Sequence, residues 1–193
     1  MPRRSHEVRA PDYAILGLLM LGPRHGYDLA PYFGRSGELG LVCTLGTPRL
    51  YALLHALEEL RLIEGATLPP SGGPPRTIFS LTEVGAARFR EWLDQPIRRL
   101  REIRQDFLLK LYFSRAIPGH DTRGLIDRQL AACRAVSDEL GAAADAEPAG
   151  SFARLIYRSR RATAEATIAW LKAERSEGIG AEGAGAESPS SSY

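Results

Sequence analysis

The sequence predicts a mainly α-helical protein with one small β-hairpin: a winged helix-turn-helix domain followed by a helical dimerisation domain. Three observations in its 193 residues predict this. Leucines recur at helical spacing directly after a Thr-Pro pair. A proline- and glycine-rich turn separates two β-prone runs. Long apolar stripes of helical period fill the second half of the chain.

Pro11 and Asp12 open the first helix, whose apolar members run from Tyr13 to Met20 and which Gly22-Pro23 ends. His25 to Phe33 reads as a short second helix, followed by a glycine-marked loop through Gly46. Thr47-Pro48 starts the third helix, because Thr can accept a bond from free backbone N–H groups and Pro at the first position loses none. Leu50, Leu53, Leu54, Leu57 and Leu60 then form one apolar stripe. Leu62–Leu68 and Arg76–Leu81 read as strands around Pro69–Pro75, a turn that suits neither helix nor sheet. Thr82 and Glu83 cap a fourth helix through Trp92 and Leu93.

Helix, helix, helix, hairpin, helix is the order of a winged helix. Beyond it, three more stripes lie around Ile97–Tyr112, Ile126–Leu140 and Phe152–Trp170, and each must bury against something. Phe107, Leu108, Leu111, Leu155, Ile156 and Trp170 are the candidate dimerisation residues, because reading paired half-sites needs two-fold symmetry. The predicted organisation is an N-terminal arm (1–10), a winged-helix domain (11–97), a helical dimerisation domain (98–175) and a disordered Gly, Ala, Glu and Ser tail (176–193).

Charge is placed locally. Residues 1–97 are net neutral, 98–175 carry 15 basic and 10 acidic side chains, and the tail carries three Glu and no base. A nucleic-acid binder with a neutral first half must set its bases one by one. At the start of the third helix, Arg49 is the side chain able to make a bidentate contact to guanine. Thr47 and Tyr51 can bond phosphate oxygens. Glu58 and Glu59 would repel phosphate, so DNA belongs at the leading turn. The chain has no Asn, and the third helix no Gln, so amide readout of adenine is absent and DNA shape matters more. Arg76 follows the hairpin tip, and Arg24 and His25 open the second helix, where both can meet the DNA backbone.

Other chemistries find little support. Two cysteines make no disulfide framework, and four scattered histidines have no metal spacing. No acid, base and pocket assemble, so neither an enzyme nor a cofactor is expected. Gly178-Ile-Gly180-Ala-Glu-Gly183 imitates a dinucleotide fingerprint but lacks the flanking strand and helix. Arg3 and Arg4 before an apolar run imitate a signal peptide, but Glu7 and Asp12 interrupt it and eight apolar residues are too few to span a bilayer. A cytoplasmic protein with no membrane partner is the expectation. The rival reading is a winged-helix module that binds protein or senses a ligand with little affinity for DNA.

Ala14–Tyr27 (AILGLLMLGPRHGY), Gly46–Glu64 (GTPRLYALLHALEELRLIE) and Gly72–Gly85 (GGPPRTIFSLTEVG) resemble the PadR family, the phenolic-acid-responsive type of bacterial winged-helix regulator. Asp106–Phe113 (DFLLKLYF) resembles the longer C-terminal domain of one branch. The resemblance implies a homodimeric transcriptional regulator, usually a repressor, bound to double-stranded operator DNA. It marks Thr47, Arg49 and Tyr51, His25 and Tyr27, and Gly73 and Arg76 as DNA-contact candidates. Some members bind small planar aromatic effectors through a Trp at the dimer interface; Trp92 lies on the fourth helix, on a stripe that suits the core better. Two departures concern the third helix: Arg61 stands where the family often has Gly, and Arg35–Thr44 is long and Gly-rich.

Overall fold

The computed structural model describes residues 6–68 and 76–177. The hairpin tip with Gly73, and the tail beyond Glu177, lie outside the described residues. Two compact units are present, the first running to Phe113 and the second starting at Ser114.

In the first unit, α1 (Ala10–Met20) is apolar all round and is its central helix, with Ala14 to Leu19 buried. Its start is fixed by Asp12, whose carboxylate accepts from the Arg9 N–H at 2.9 Å and bonds the His6 ring at 2.8 Å. The expected arm therefore ends sooner than residue 10, since His6 and Ala10 already belong to this structure. A short strand β1 (Arg24–His25) follows, then α2 (Gly26–Phe33), then a single 3-10 turn at Leu39–Leu41. Helix α3 (Thr47–Glu59) buries Leu50, Leu53, Leu54 and Leu57 almost completely. Each such leucine contributes about 1.5–3 kcal/mol by leaving water. Gly46, not Thr47, holds the cap position, and no side chain caps the helix. The helix starts one residue earlier than its Thr-Pro signal suggests, and the Leu50 N–H donates to the Gly46 carbonyl at 3.0 Å.

Strands β2 (Ile63–Leu68) and β3 (Arg76–Leu81) pair antiparallel, Leu68 opposite Arg76 and Ile63 opposite Leu81. The sheet has three strands, in the order β1-β3-β2, because Arg24 and His25 pair with Phe79 and Ile78. The sequence signals only two, since a two-residue strand carries no alternation. Helix α4 (Glu83–Asp94) follows, then α5 (Leu100–Glu102), a π-helical stretch (Ile103–Phe107) and α6 (Leu108–Ala116).

The first unit extends to Phe113, past the expected boundary at residue 97, for a physical reason. Phe113 meets Phe89 edge to face at 5.5 Å. Lys110, 2% exposed, donates to the Trp92 and Gln95 carbonyls at the end of α4. A cation there satisfies orphan carbonyls and opposes the negative end of the helix dipole.

The second unit is an antiparallel pair, α7 (Thr122–Ala146) and α8 (Phe152–Ser176). Asp121 and Ser151 cap them by accepting from the Gly124 and Arg154 N–H groups. Arg175 near the end of α8 makes a two-point ion pair with Asp127 near the start of α7.

Candidate nucleic-acid interface

The leading turn of α3 is open. Thr47, Pro48, Arg49 and Ala52 are exposed, and Tyr51 is 44% exposed. Among the described residues Arg49 has no hydrogen bond or ion pair. The leucine stripe explains this arrangement, since burying it turns Pro48, Ala52, His55 and Glu59 to solvent.

Two neighbours flank this turn. The Gly-Pro-Arg-His-Gly-Tyr segment enters β1 and turns into α2, with His25 at the cap position. A β-carbon on Gly26 would lie 2.9 Å from the Tyr51 ring, so the absence of a side chain there lets Tyr51 lie across the start of α2. Tyr27 stacks parallel to His25, with ring centroids 5.4 Å apart. The Arg76 guanidinium lies 5.7 Å over the Tyr27 ring and donates to its hydroxyl at 3.4 Å. The start of α2 therefore meets Tyr51 of α3 at Gly26 and Arg76 of β3 at Tyr27, while Thr47 and Arg49 share the exposed leading turn of α3 with Tyr51. Of the other expected DNA-contact residues, Gly73 lies outside the described residues. Arg24 turns inward: its Nε donates to the Leu18 carbonyl at 3.4 Å, and its guanidinium sits 5.3 Å over the Tyr32 ring. His25 is half-buried, and its Nδ1 is buried with no partner among the described residues.

The wing root is a second consequence of local sequence. Thr82 Oγ1 accepts from the Gly85 N–H at 3.0 Å and donates to the Arg61 and Leu62 carbonyls. A β-carbon on Gly85 would collide with the Leu62 carbonyl, so the Leu-Thr-x-x-Gly pattern is a clamp between wing and α4. Arg61 makes the turn from α3 into the wing with φ +56°, the left-handed region that favours glycine. Glu58, read from sequence only as a charge repelling phosphate, also braces the wing, since the Gly65 N–H donates to its Oε1 at 3.1 Å. No pattern announces a carboxylate whose partner is a strand N–H.

The long loop before α3 is compact. Leu39 and Cys43 are buried, burial pushes the Cys43 thiol up, and the Leu45 N–H donates to the Phe33 carbonyl at 3.3 Å. Burial first, then the Glu38 carboxylate, pushes the Tyr112 hydroxyl up to about 12, so it is neutral at physiological pH.

Trp92 is half-buried and stacks on Tyr13, ring centroids 4.4 Å apart and 5° from parallel, with Lys110 4.8 Å over its ring. Beside the pair lies an open groove of about 510 Å³, bounded also by Val84, Arg88 and Glu91.

The expected dimerisation residues separate into two groups. Phe107 and Leu111 are buried within the single chain, 0% and 6% exposed, which corrects their assignment: their surface is already covered. Leu108 is 37% and Leu155 61% exposed, while Ile156 and Trp170 are half-buried. The apolar period showed that the π-helical stretch and α6 carry a stripe, but period cannot say whether the same chain covers it. Phe152, 75% exposed, is an apolar residue the interface list lacked.

Among the described residues, no helix is long and apolar enough to cross a membrane. Residues 15–91 match the family model for the transcriptional regulator PadR-like family. The chain carries a PadR-like family domain. Residues 103–176 match a second model, the virulence activator alpha C-terminal domain. The negative transcriptional regulator PadR of Bacillus subtilis is 30% identical over 125 residues, 64% of this chain and 66% of that protein. A Mycobacterium tuberculosis relative is 27% identical over 48% of each chain. The matches thus span about two thirds and about half the length of these relatives. The crystal structure of Bacillus subtilis PadR in complex with operator DNA is similar at 26% identity, covering 88% of this chain and 99% of that one with a TM-score of 0.43. PadR-like proteins are transcriptional regulators, and the winged helix with its following helices is the fold of this one.

Proposed function

We propose that this protein is a cytoplasmic, homodimeric repressor that binds operator DNA through the leading turn of α3 and the wing. One observation carries the reading: Thr47, Pro48, Arg49, Tyr51 and Ala52 stand exposed around the buried Leu50, with Arg49 unpaired among the described residues, while Arg76 of the wing is held over the Tyr27 ring. A helix N-terminus attracts phosphate, and an arginine one turn in can reach a guanine edge. Repression is supported by the Bacillus subtilis relative, named a negative regulator. Two-fold association is supported by the apolar side chains that α8 leaves exposed, Phe152 and Leu155. The effector class is a small planar aromatic. Bacillus subtilis PadR has been crystallised with p-coumaric acid, and the groove beside Tyr13 and Trp92 offers an aromatic wall here.

The test is selection of duplex DNA from a random pool, followed by binding across salt concentrations. A two-fold symmetric sequence and an affinity falling steeply with salt are expected, because bound phosphates release counterions. Arg49→Ala should weaken binding to that sequence by about 1–3 kcal/mol and relax its preference at one guanine per half-site. A protein that enriches no sequence and shows no salt slope would be an interaction module instead.

A further inference from the structure

We propose that Tyr27 is a positioning residue: it holds Arg76 of the wing in the orientation that meets DNA, rather than meeting DNA itself. The inference rests on the DNA-binding reading above and goes beyond it in assigning the role of this side chain.

The sheet explains how the three side chains come together. His25 pairs with Ile78, and Arg76 lies two residues before Ile78 on β3. Side chains two apart on a strand share a face, as do directly opposed partners, so His25, Ile78 and Arg76 share one face of the sheet. Tyr27 follows two residues after His25, in the first turn of α2, and stacks on the His25 ring. His25 is half-buried and its backbone is held by the ladder to β3, so the Tyr27 ring rests on a fixed support. Arg76 is exposed, begins β3 beside the hairpin tip, and makes its ring and hydrogen-bond contacts with Tyr27. An exposed arginine otherwise samples many rotamers, and ordering it on contact with DNA costs binding energy. A flat ring beneath the guanidinium removes part of that cost and leaves the guanidinium edges available to phosphate or the minor groove.

The same geometry separates positioning from direct contact. The hydrogen bond to the Tyr27 hydroxyl is long, at 3.4 Å, so the ring face carries most of the interaction. Tyr27→Phe keeps the face; Tyr27→Leu removes it.

The experiment measures affinity for the duplex that the parent protein selects from a random pool, across salt, for Tyr27→Phe, Tyr27→Leu, Arg76→Ala and the double variant combining Tyr27→Leu with Arg76→Ala. Thermal unfolding of each verifies the fold. Tyr27→Phe should bind like the parent, and Tyr27→Leu about two- to fivefold more weakly. Arg76→Ala should reduce the salt slope by about one. In the Arg76→Ala background, Tyr27→Leu should have no further effect, a coupling that a merely structural role would not produce. Arg76→Lys keeps charge without the flat group; its loss should appear with Tyr27 present and vanish in the Tyr27→Leu background. Equal losses for Tyr27→Phe and Tyr27→Leu, or losses that multiply in the double variant, would overturn the positioning role while leaving DNA binding intact. A parent with no salt-dependent duplex binding would overturn both readings.

Discussion

In the first unit α1 buries every side chain from Ala14 to Leu19, whereas in the second α8, 25 residues long, buries only Ala164 and Leu171. The contrast is not one of composition, since both helices carry large apolar residues. It lies in what surrounds them. Helix α1 has α3, α4 and β3 as packing partners, while α7 is the main partner of α8. A two-helix layer covers one stripe of each helix, and an apolar residue off that stripe faces water. Phe152 and Leu155 are such residues, and in a symmetric dimer a second copy supplies the missing layer. The first unit is closed within one chain, and the proposed dimer is what would complete the packing of the second.

The largest effect that could break this contrast is expected at Phe107. Its side chain is 0% exposed, so Phe107→Ala should cost about 3–5 kcal/mol of folding stability, read by urea unfolding. Association of the chains that remain folded should be unchanged. A variant that folds normally but dissociates would return Phe107 to the interface.

Leu155→Glu makes the opposite demand. At 61% exposure the leucine contributes little to the fold of one chain, but a charge there should oppose pairing. The dimer dissociation constant should rise about 30-fold or more, which light scattering over a dilution series would read as a halved mass. Unchanged mass would mean that α8 associates through another face. Operator affinity should fall with dimerisation, because two half-sites are then read independently.

How far the sequence disclosed this molecule varies with the kind of signal. Helices with a one-sided leucine stripe, such as α3, were legible with their exposed residues, because period and burial carry the same information. The cap of α4 by Thr82 was legible for another reason, since a Thr hydroxyl at a helix start accepts from a free backbone N–H. The strand β1 was not, since two residues have no period, and with it the inward turn of Arg24 was lost. The reach of the first unit to Phe113 was hidden because a stripe records that a face is buried, not by what. Lys110 shows the limit most sharply. A lysine within an apolar run reads as an interruption, yet it is buried where it satisfies the last carbonyls of α4.

A smaller effect sharpens the picture of the first unit. Arg61 adopts φ +56°, a conformation that costs a residue with a β-carbon about 1 kcal/mol or more. Arg61→Gly should therefore raise stability by several tenths to about 1 kcal/mol, the gain reduced by the greater chain entropy of glycine when unfolded. The Thr82 hydroxyl bonds the Arg61 carbonyl, which glycine retains, so the wing root should be unaltered. A destabilised variant would show that the arginine side chain contributes more than its backbone costs.

The smallest expected effect concerns a carboxylate that even the closed unit leaves poorly satisfied. Asp106 lies in the π-helical stretch, half-buried, and burial first, then the Glu102 carboxylate, raises its pKa, while Lys110 opposes the shift. With the folded value above the unfolded one, the folded state holds a proton at pH values where the unfolded chain has released it. Stability must then fall as pH rises from the ordinary aspartate range through the raised value. Asp106→Asn removes this dependence, so its melting temperature at neutral pH should exceed that of the parent, and the two should converge in acid. Partial exposure keeps the difference small. The opposite order at neutral pH would mean that attraction between the Asp106 carboxylate and Lys110 outweighs burial, and that this lysine is held in place by charge as well as by the α4 carbonyls.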